Sequence, residues 1–192
     1  MEDIDNILNN YTVSYNNDQH RFNSMAICHE TDLVNVLEYD HTPGFSLVKF
    51  KKDLFSEKVF CLLLLYKNTK TSSHDFAYQL LNFLRENSID IILGDFNIDG
   101  FDENVLLNEV LVDYQLQIDF PTHLDGAMLD HIYVHKDLLT DFNVETIRKC
   151  VNVSDHDGIK MKLTKRQKTI DIYAINNTVT PLFISFPFCH LL

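Results

Sequence analysis

Glycine and proline are scarce, five and four among 192 residues, which excludes a collagen-like or linker-type chain. Positive charge is scarce too: 16 Lys and Arg face 28 Asp and Glu, for a formal net charge of −12. A protein that grips nucleic acid through a generally basic surface is thereby excluded. A local site is not, because carboxylates that gather divalent cations lower the effective negative charge next to a phosphate ester. The four cysteines, Cys28, Cys61, Cys150 and Cys189, are scattered and form no C-x-x-C pair. They read as thiols, neither a zinc site nor a disulfide framework. No apolar run reaches the roughly 20 residues of a membrane-spanning helix; the nearest, VTPLFISFPFCHLL, is shorter and interrupted by Pro181 and Pro187. With no signal-peptide-like start, the expectation is an intracellular protein without a membrane partner, the nucleus included. Sequons at Asn10, Asn152 and Asn176 carry no weight in a chain this rich in asparagine.

What is present is core material, 45% apolar and 11% aromatic, enough for one ordinary domain. MEDIDNILNN has Ile4, Ile7 and Leu8 at helical spacing, which predicts a short first helix. SMAIC, LVNVLEY, FSLVKF and KVFCLLLLY are short apolar or alternating runs between turn residues, the pattern of hairpin strands. The period then changes. In KNTKTSSHDFAYQLLNFLREN, Phe76, Leu80 and Phe83 or Leu84 recur three and four apart behind a Ser72 or Ser73 cap, a helix. It leads into SIDIILG, too aliphatic to have a solvent face, so strand 58–66, helix 73–86 and strand 89–93 form a βαβ crossover. Further on, DENVLLNEVLVDY predicts a helix capped by Asp102 with Val105, Leu106 and Val110 inward, and LDHIYV, KCVNV and GIKMKL read as strands, the last an edge or half-exposed one. From about Lys165 the chain turns basic and then aperiodic. The expected organisation is a domain over 1–165 and a tail, 166–192, outside the fold.

Three segments carry the chemistry. In IILGDFNIDG, Asp95 and Asn97 straddle Phe96 at the C-terminal end of a buried strand, where ligands of an α/β sheet tend to bind. In extended backbone residues two apart share a side, so both polar groups can face one cleft while Phe96 enters the core. Asp95 can take a proton or orient a water, and an Asn97 amide can donate to a phosphoryl oxygen; equally, Gly, Asp and Asn make a strand-ending turn. Asp130 in LDHIYV lies inside an apolar strand, where a carboxylate needs a partner. His131, on the other side, reads as a surface or satisfied core histidine. In SDHDG, Asp155 offers an oxygen ligand for a hard cation and His156 a positioned imidazole that Asp130 could hold; a solvated acidic turn is the other reading.

GDFN, LDHIYV and SDH, in that order and each at or within a strand, together resemble the C-terminal signature of the endonuclease/exonuclease/phosphatase superfamily, from about Ser24 to Leu163. The resemblance implies an α/β fold, a two-sheet α/β sandwich with its site at one end, and cleavage of phosphate esters with Mg²⁺ or Mn²⁺. It makes Asp95 the residue that orients or deprotonates the attacking water, Asn97 a contact to the scissile phosphate, His156 the stabiliser of the developing charge with Asp130 behind it, and Asp155 a metal-site residue. Tyr66 sits where many members place a Tyr or His after a strand, although Lys67-Asn68 replaces the usual Pro-containing continuation. PTHLDGAMLDHIYV looks like the endonuclease-like domains encoded beside helicases in mobile elements, and DNA is the implied substrate. The family's first-strand Asn and its principal metal-ligand Glu have no good counterpart: Asn16 in SYNN matches poorly, and Glu30 in CHET lies too near GDFN, in what reads as a hairpin from SMAIC to LVNVLEY. The expectation is therefore an N-terminally incomplete domain. Its function is that of a metal-dependent phosphodiesterase, most simply a DNA endonuclease; the alternatives are a catalytically impaired remnant and a small-molecule phosphatase of the same fold.

Overall fold

A computed structural model describes residues 11–15, 26–30, 35–42, 44–51, 59–102, 104–149, 154–166 and 182–186. Strands β1 (Tyr11–Tyr15) and β2 (Ala26–Glu30) pair antiparallel as a separate ribbon. A six-stranded sheet follows, built from β3 (Asn35–Thr42), β4 (Phe45–Lys51), β5 (Val59–Tyr66), β6 (Ile91–Asp95), β7 (Tyr114–Leu116) and β8 (Asp130–His135), in the order β3-β4-β5-β6-β8-β7. A three-stranded sheet contains β9 (Phe142–Lys149), β10 (Gly158–Lys165) and β11 (Leu182–Phe186), with β10 in the middle. Helices α1 (Ser73–Glu86), α2 (Val105–Val110) and α3 (Lys136–Asp141) complete the described elements.

The β5-α1-β6 crossover forms as its periodicity requires. β5 and β6 pair in parallel, and Ser72 caps α1 by accepting a hydrogen bond from the Asp75 amide at 3.1 Å. Both strands are hydrophobic on both sides because both faces of the six-stranded sheet are covered. On one face Leu63, Leu65, Ile92 and Phe96 pack with Phe76 and Leu80 of α1 and Leu107 of α2. On the other, Phe60, Leu62, Leu64, Ile91, Leu93, Ile132 and Val134 meet Phe142, Ile159, Met161 and Leu163 of the small sheet. The result is two sheets face to face with helices on the outer side of the larger one, the expected α/β sandwich.

Several local expectations change. SMAIC does not form a hairpin with LVNVLEY: β2 pairs with β1, so Glu30 stands opposite Tyr11. In α2 the cap is Asn104, whose side chain accepts from the Leu107 amide at 3.0 Å, while the chain at Asp102 is still in a turn closed on the Asp99 carbonyl. Leu107 is the buried residue of α2 and Val105 is exposed. Of the strand expected at KCVNV, Lys149 ends β9 and residues 150–153 lie outside the described residues. GIKMKL does have Ile159, Met161 and Leu163 buried, but it is the central strand, not an edge, because both β9 and β11 bond to it. β11 comes from the stretch assigned to a tail. The predicted first helix and residues 167–181 and 187–192 lie outside the described residues. No helix among the described residues is long and apolar enough to cross a membrane.

Candidate active site

Tyr66, Asp95 and Asp130 form a row across three neighbouring strands. Tyr66 is in register with Asp95 between β5 and β6, and Asp95 is directly opposite Asp130 between β6 and β8. Alternation puts all three on the face turned toward the small sheet, at the end of the sandwich, in line with the core residues Leu64, Leu93 and Ile132. Gly94 allows this spacing. Its φ is +149°, and a Cβ there would collide with the Leu65 carbonyl, so only glycine lets β6 lie this close to β5. Phe96 turns to the helix side and is fully buried.

Asn97 reaches Asp95 by a different route from the one expected. It is not extended: its φ is +45°, in the left-handed region. The chain curls so that the Asn97 amide N–H donates to Asp95 Oδ1 at 2.9 Å. Nδ2 donates to Asp95 Oδ2 at 3.1 Å and to the Lys67 carbonyl at 2.7 Å. Both side-chain donor hydrogens are thus committed to holding the Asp95 carboxylate and the end of β5, rather than pointing to a phosphoryl oxygen. The Lys67 amide donates in turn to the Asp95 carbonyl at 2.8 Å. Lys67 is itself buried, and burial lowers its ammonium pKa while the Asp95 charge partly restores it. Tyr66 is half-buried, and its phenol is raised by burial and by the Asp95 charge.

Asp130 is 1% exposed and His156 8%. His156 Nδ1 donates to Asp130 Oδ2 at 2.7 Å, while Asp130 Oδ1 has no hydrogen-bond partner among the described residues. The bond to Asp130 raises the His156 pKa; burial opposes it, and the charges of Asp130, Asp95 and Asp155 reinforce it. Asp155 is largely exposed beside it. Slight burial pushes its carboxyl up, but its backbone amide and the neighbouring His156 and His123 outweigh this and hold it below the ordinary value.

Two residues of the site were not singled out in the sequence. Thr122 is fully buried, and its Oγ1 accepts from the amides of Leu129 and Asp130, each at 3.0 Å, fixing where β8 begins. Its carbonyl accepts from the Asp157 amide at 2.7 Å, and an isolated bridge pairs His123 with His156. The PTH stretch is thus sewn to the SDH loop. His123 stands edge-on to His156 with ring centroids 4.9 Å apart, and its Nδ1 donates to Asp125 Oδ1 at 2.6 Å. A Thr-His pair a few residues before a strand-embedded Asp was the available signal; its weakness is that such pairs are common in loops.

His123, Asp155 and His156 are the one group of three or more His, Cys, Asp or Glu among the described residues with donor atoms close enough for an ion, within 4.8 Å of one another. The donors are two imidazoles and one carboxylate. Mg²⁺ takes oxygens in near-octahedral array, so this set does not fit it, and no all-oxygen cluster forms around Asp155 among the described residues.

No protein-family model matches the sequence, and no curated protein does. Solved structures do match in three dimensions. The endonuclease domain of TRAS1, a telomere-specific non-LTR retrotransposon, aligns with a TM-score of 0.63 at 15% identity, over 78% of this chain and 76% of that one. TDP2 from D. rerio, complexed with a single-strand DNA product, aligns at 0.58 and 14%, over 82% and 78%. The human Nocturnin catalytic domain with bound sulfate aligns at 0.55 and 13%, over 96% and 75%. At such identities the likeness is one of architecture, and the architecture this chain shares with all three is the endonuclease/exonuclease/phosphatase fold.

Proposed function

We propose that this protein is a phosphodiesterase, acting as a DNA endonuclease through in-line attack of water. The observation that carries the reading is the row Tyr66-Asp95-Asp130 with His156 bonded to its end. It sets an oriented carboxylate one strand from a phenol and beside an imidazole whose charged form is favoured. Asp95, held at both oxygens by Asn97, takes the proton of the attacking water. His156, whose charged form Asp130 favours, stabilises the charge that builds on the non-bridging phosphate oxygens. Tyr66, on the same face, supplies a hydroxyl to the phosphate.

DNA as substrate draws support from two of the structural relatives, one an endonuclease of a retrotransposon and one bound to a DNA product. A mobile-element origin agrees with the first. Dependence on Mg²⁺ or Mn²⁺ belongs to the proposal through the fold it shares.

Purified protein is expected to nick supercoiled plasmid in Mg²⁺ or Mn²⁺, and His156→Ala and Asp95→Ala to abolish the nicking. Equal activity in EDTA, or in both variants, overturns the proposal. A folded wild-type protein that cleaves neither DNA nor a small phosphate ester leaves the impaired-remnant reading; cleavage of the ester alone favours the phosphatase.

A further inference from the structure

The nitrogen-rich cluster that suits Mg²⁺ poorly has the features of a different site. His123 Nε2 and Asp155 Oδ2 are 3.5 Å apart. That is long for a charge-assisted hydrogen bond, which closes to about 2.7–2.9 Å. It is the separation of two ligands on one tetrahedral ion: bonds of about 2.0–2.1 Å at the tetrahedral angle put donors roughly 3.4 Å apart. The second observation is independent of that distance. Each histidine has a carboxylate on its Nδ1, Asp125 on His123 at 2.6 Å and Asp130 on His156 at 2.7 Å. A carboxylate there fixes the tautomer with the proton on Nδ1, places the lone pair of the neutral ring on Nε2 and makes it more basic, the usual support behind metal-binding histidines. Two such pairs converging with a third carboxylate make a donor set for zinc and related borderline ions, with an exposed Asp155 as the side of entry.

We propose that His123, Asp155 and His156, backed by Asp125 and Asp130, bind one zinc-like transition-metal ion beside the phosphodiester site, and that a bound ion blocks that site. Binding depends on the donors alone; the block rests on the proposed function, because the ion occupies the His156 imidazole that the phosphate needs.

Co²⁺ serves as the spectroscopic probe and Zn²⁺ as its competitor, on the full chain. One equivalent of Co²⁺ gives visible ligand-field absorption of a low-coordinate site, and one equivalent of Zn²⁺ removes it. His123→Ala loses that equivalent, as does His123→Gln, which keeps the bulk of the side chain should the alanine variant misfold. Asp125→Asn weakens Co²⁺ binding by about 10–100-fold by removing the support on Nδ1, and His74→Ala, at an exposed histidine on α1, binds as wild type. Zn²⁺ suppresses plasmid nicking by the wild type, and about 10–100-fold more Zn²⁺ is needed for the same suppression of Asp125→Asn. A wild type that binds no Co²⁺, or binding and spectrum unchanged in folded His123→Gln and Asp125→Asn, overturns the proposal. The two readings separate cleanly. Loss of Co²⁺ binding in His123→Gln with no nicking by the wild type under any condition keeps the metal site and removes the nuclease; nicking that Zn²⁺ suppresses equally in the wild type and Asp125→Asn removes the metal site's role and keeps the nuclease.

Discussion

Asp130 and His131 are neighbours on β8 that face opposite ways, and each leads to a buried imidazole with opposite properties. On the small-sheet side, Asp130 holds His156, whose pKa is raised by that bond. On the helix side, His131 is stacked on Phe96 with centroids 4.5 Å apart and donates from Nε2 to the Met128 carbonyl at 2.9 Å. Its Nδ1 has no partner among the described residues, and burial pushes its pKa down, only partly countered by the Met128 carbonyl. Burial alone therefore does not make a histidine reactive. A carboxylate on the ring shifts the balance toward the charged form, and for His156 the face where the two sheets meet provides one.

The largest effect should come from breaking the pair. Asp130→Ala leaves a buried imidazole without its carboxylate and is expected to cost about 3–5 kcal/mol of stability and about 10²–10⁴-fold in nicking rate, measured by urea denaturation and plasmid cleavage. Retained activity would show that His156 does not depend on Asp130. Next comes the spacing of the row: Gly94→Ala forces β6 from the Leu65 carbonyl and should lose about 1–3 kcal/mol together with nicking, as Asp95 shifts from Tyr66.

The third prediction concerns pH, where the two histidines have opposite signs. His156 has its folded pKa above the ordinary 6.5, so its pair stabilises the fold fully below 6.5 and the stabilisation fades as pH rises through the raised value. His131 has its folded pKa below 6.5. The neutral buried ring is tolerated above 6.5, and stability falls as pH drops from 6.5 toward the lowered value. Urea midpoints across this range should show His156→Gln flattening the alkaline limb and His131→Phe the acid limb; the reverse assignment would break the comparison. Nicking by the wild type should fall on the same alkaline limb. The smallest effect is that of His131→Phe at neutral pH. Exchanging an imidazole with an unpartnered nitrogen for a phenyl between Phe96 and Tyr133 should change stability by no more than about 1 kcal/mol and leave nicking unchanged.

Legibility in the sequence followed the range of the interaction. The β5-α1-β6 crossover was readable because aliphatic strands, a helical period and a serine cap are local signals. So was the direction of Phe96. The conformation of Asn97 was not: two-residue alternation assumes extended backbone, and a left-handed turn after Asp95 brings the amide back by other means. The central place of β10 was hidden because alternation measures one-sided burial and is blind to how many neighbours bond along the edges. His123 was missed because its partner across the bridge, His156, lies more than thirty positions on, and Thr122 because its side chain acts only once β8 is in place to offer its first amides.

By itself the sequence determined which side chains are chemically capable and which short segments carry them, since periodicity and capping act over a few residues of chain. Tertiary structure alone decided the company they keep. Asp95 meets Asp130 because β6 and β8 are ladder neighbours, and the two histidine loops join because a threonine and an isolated bridge tie them together. The physical reason is that partners so distant along the chain are brought together only when the whole sandwich buries its apolar faces at once.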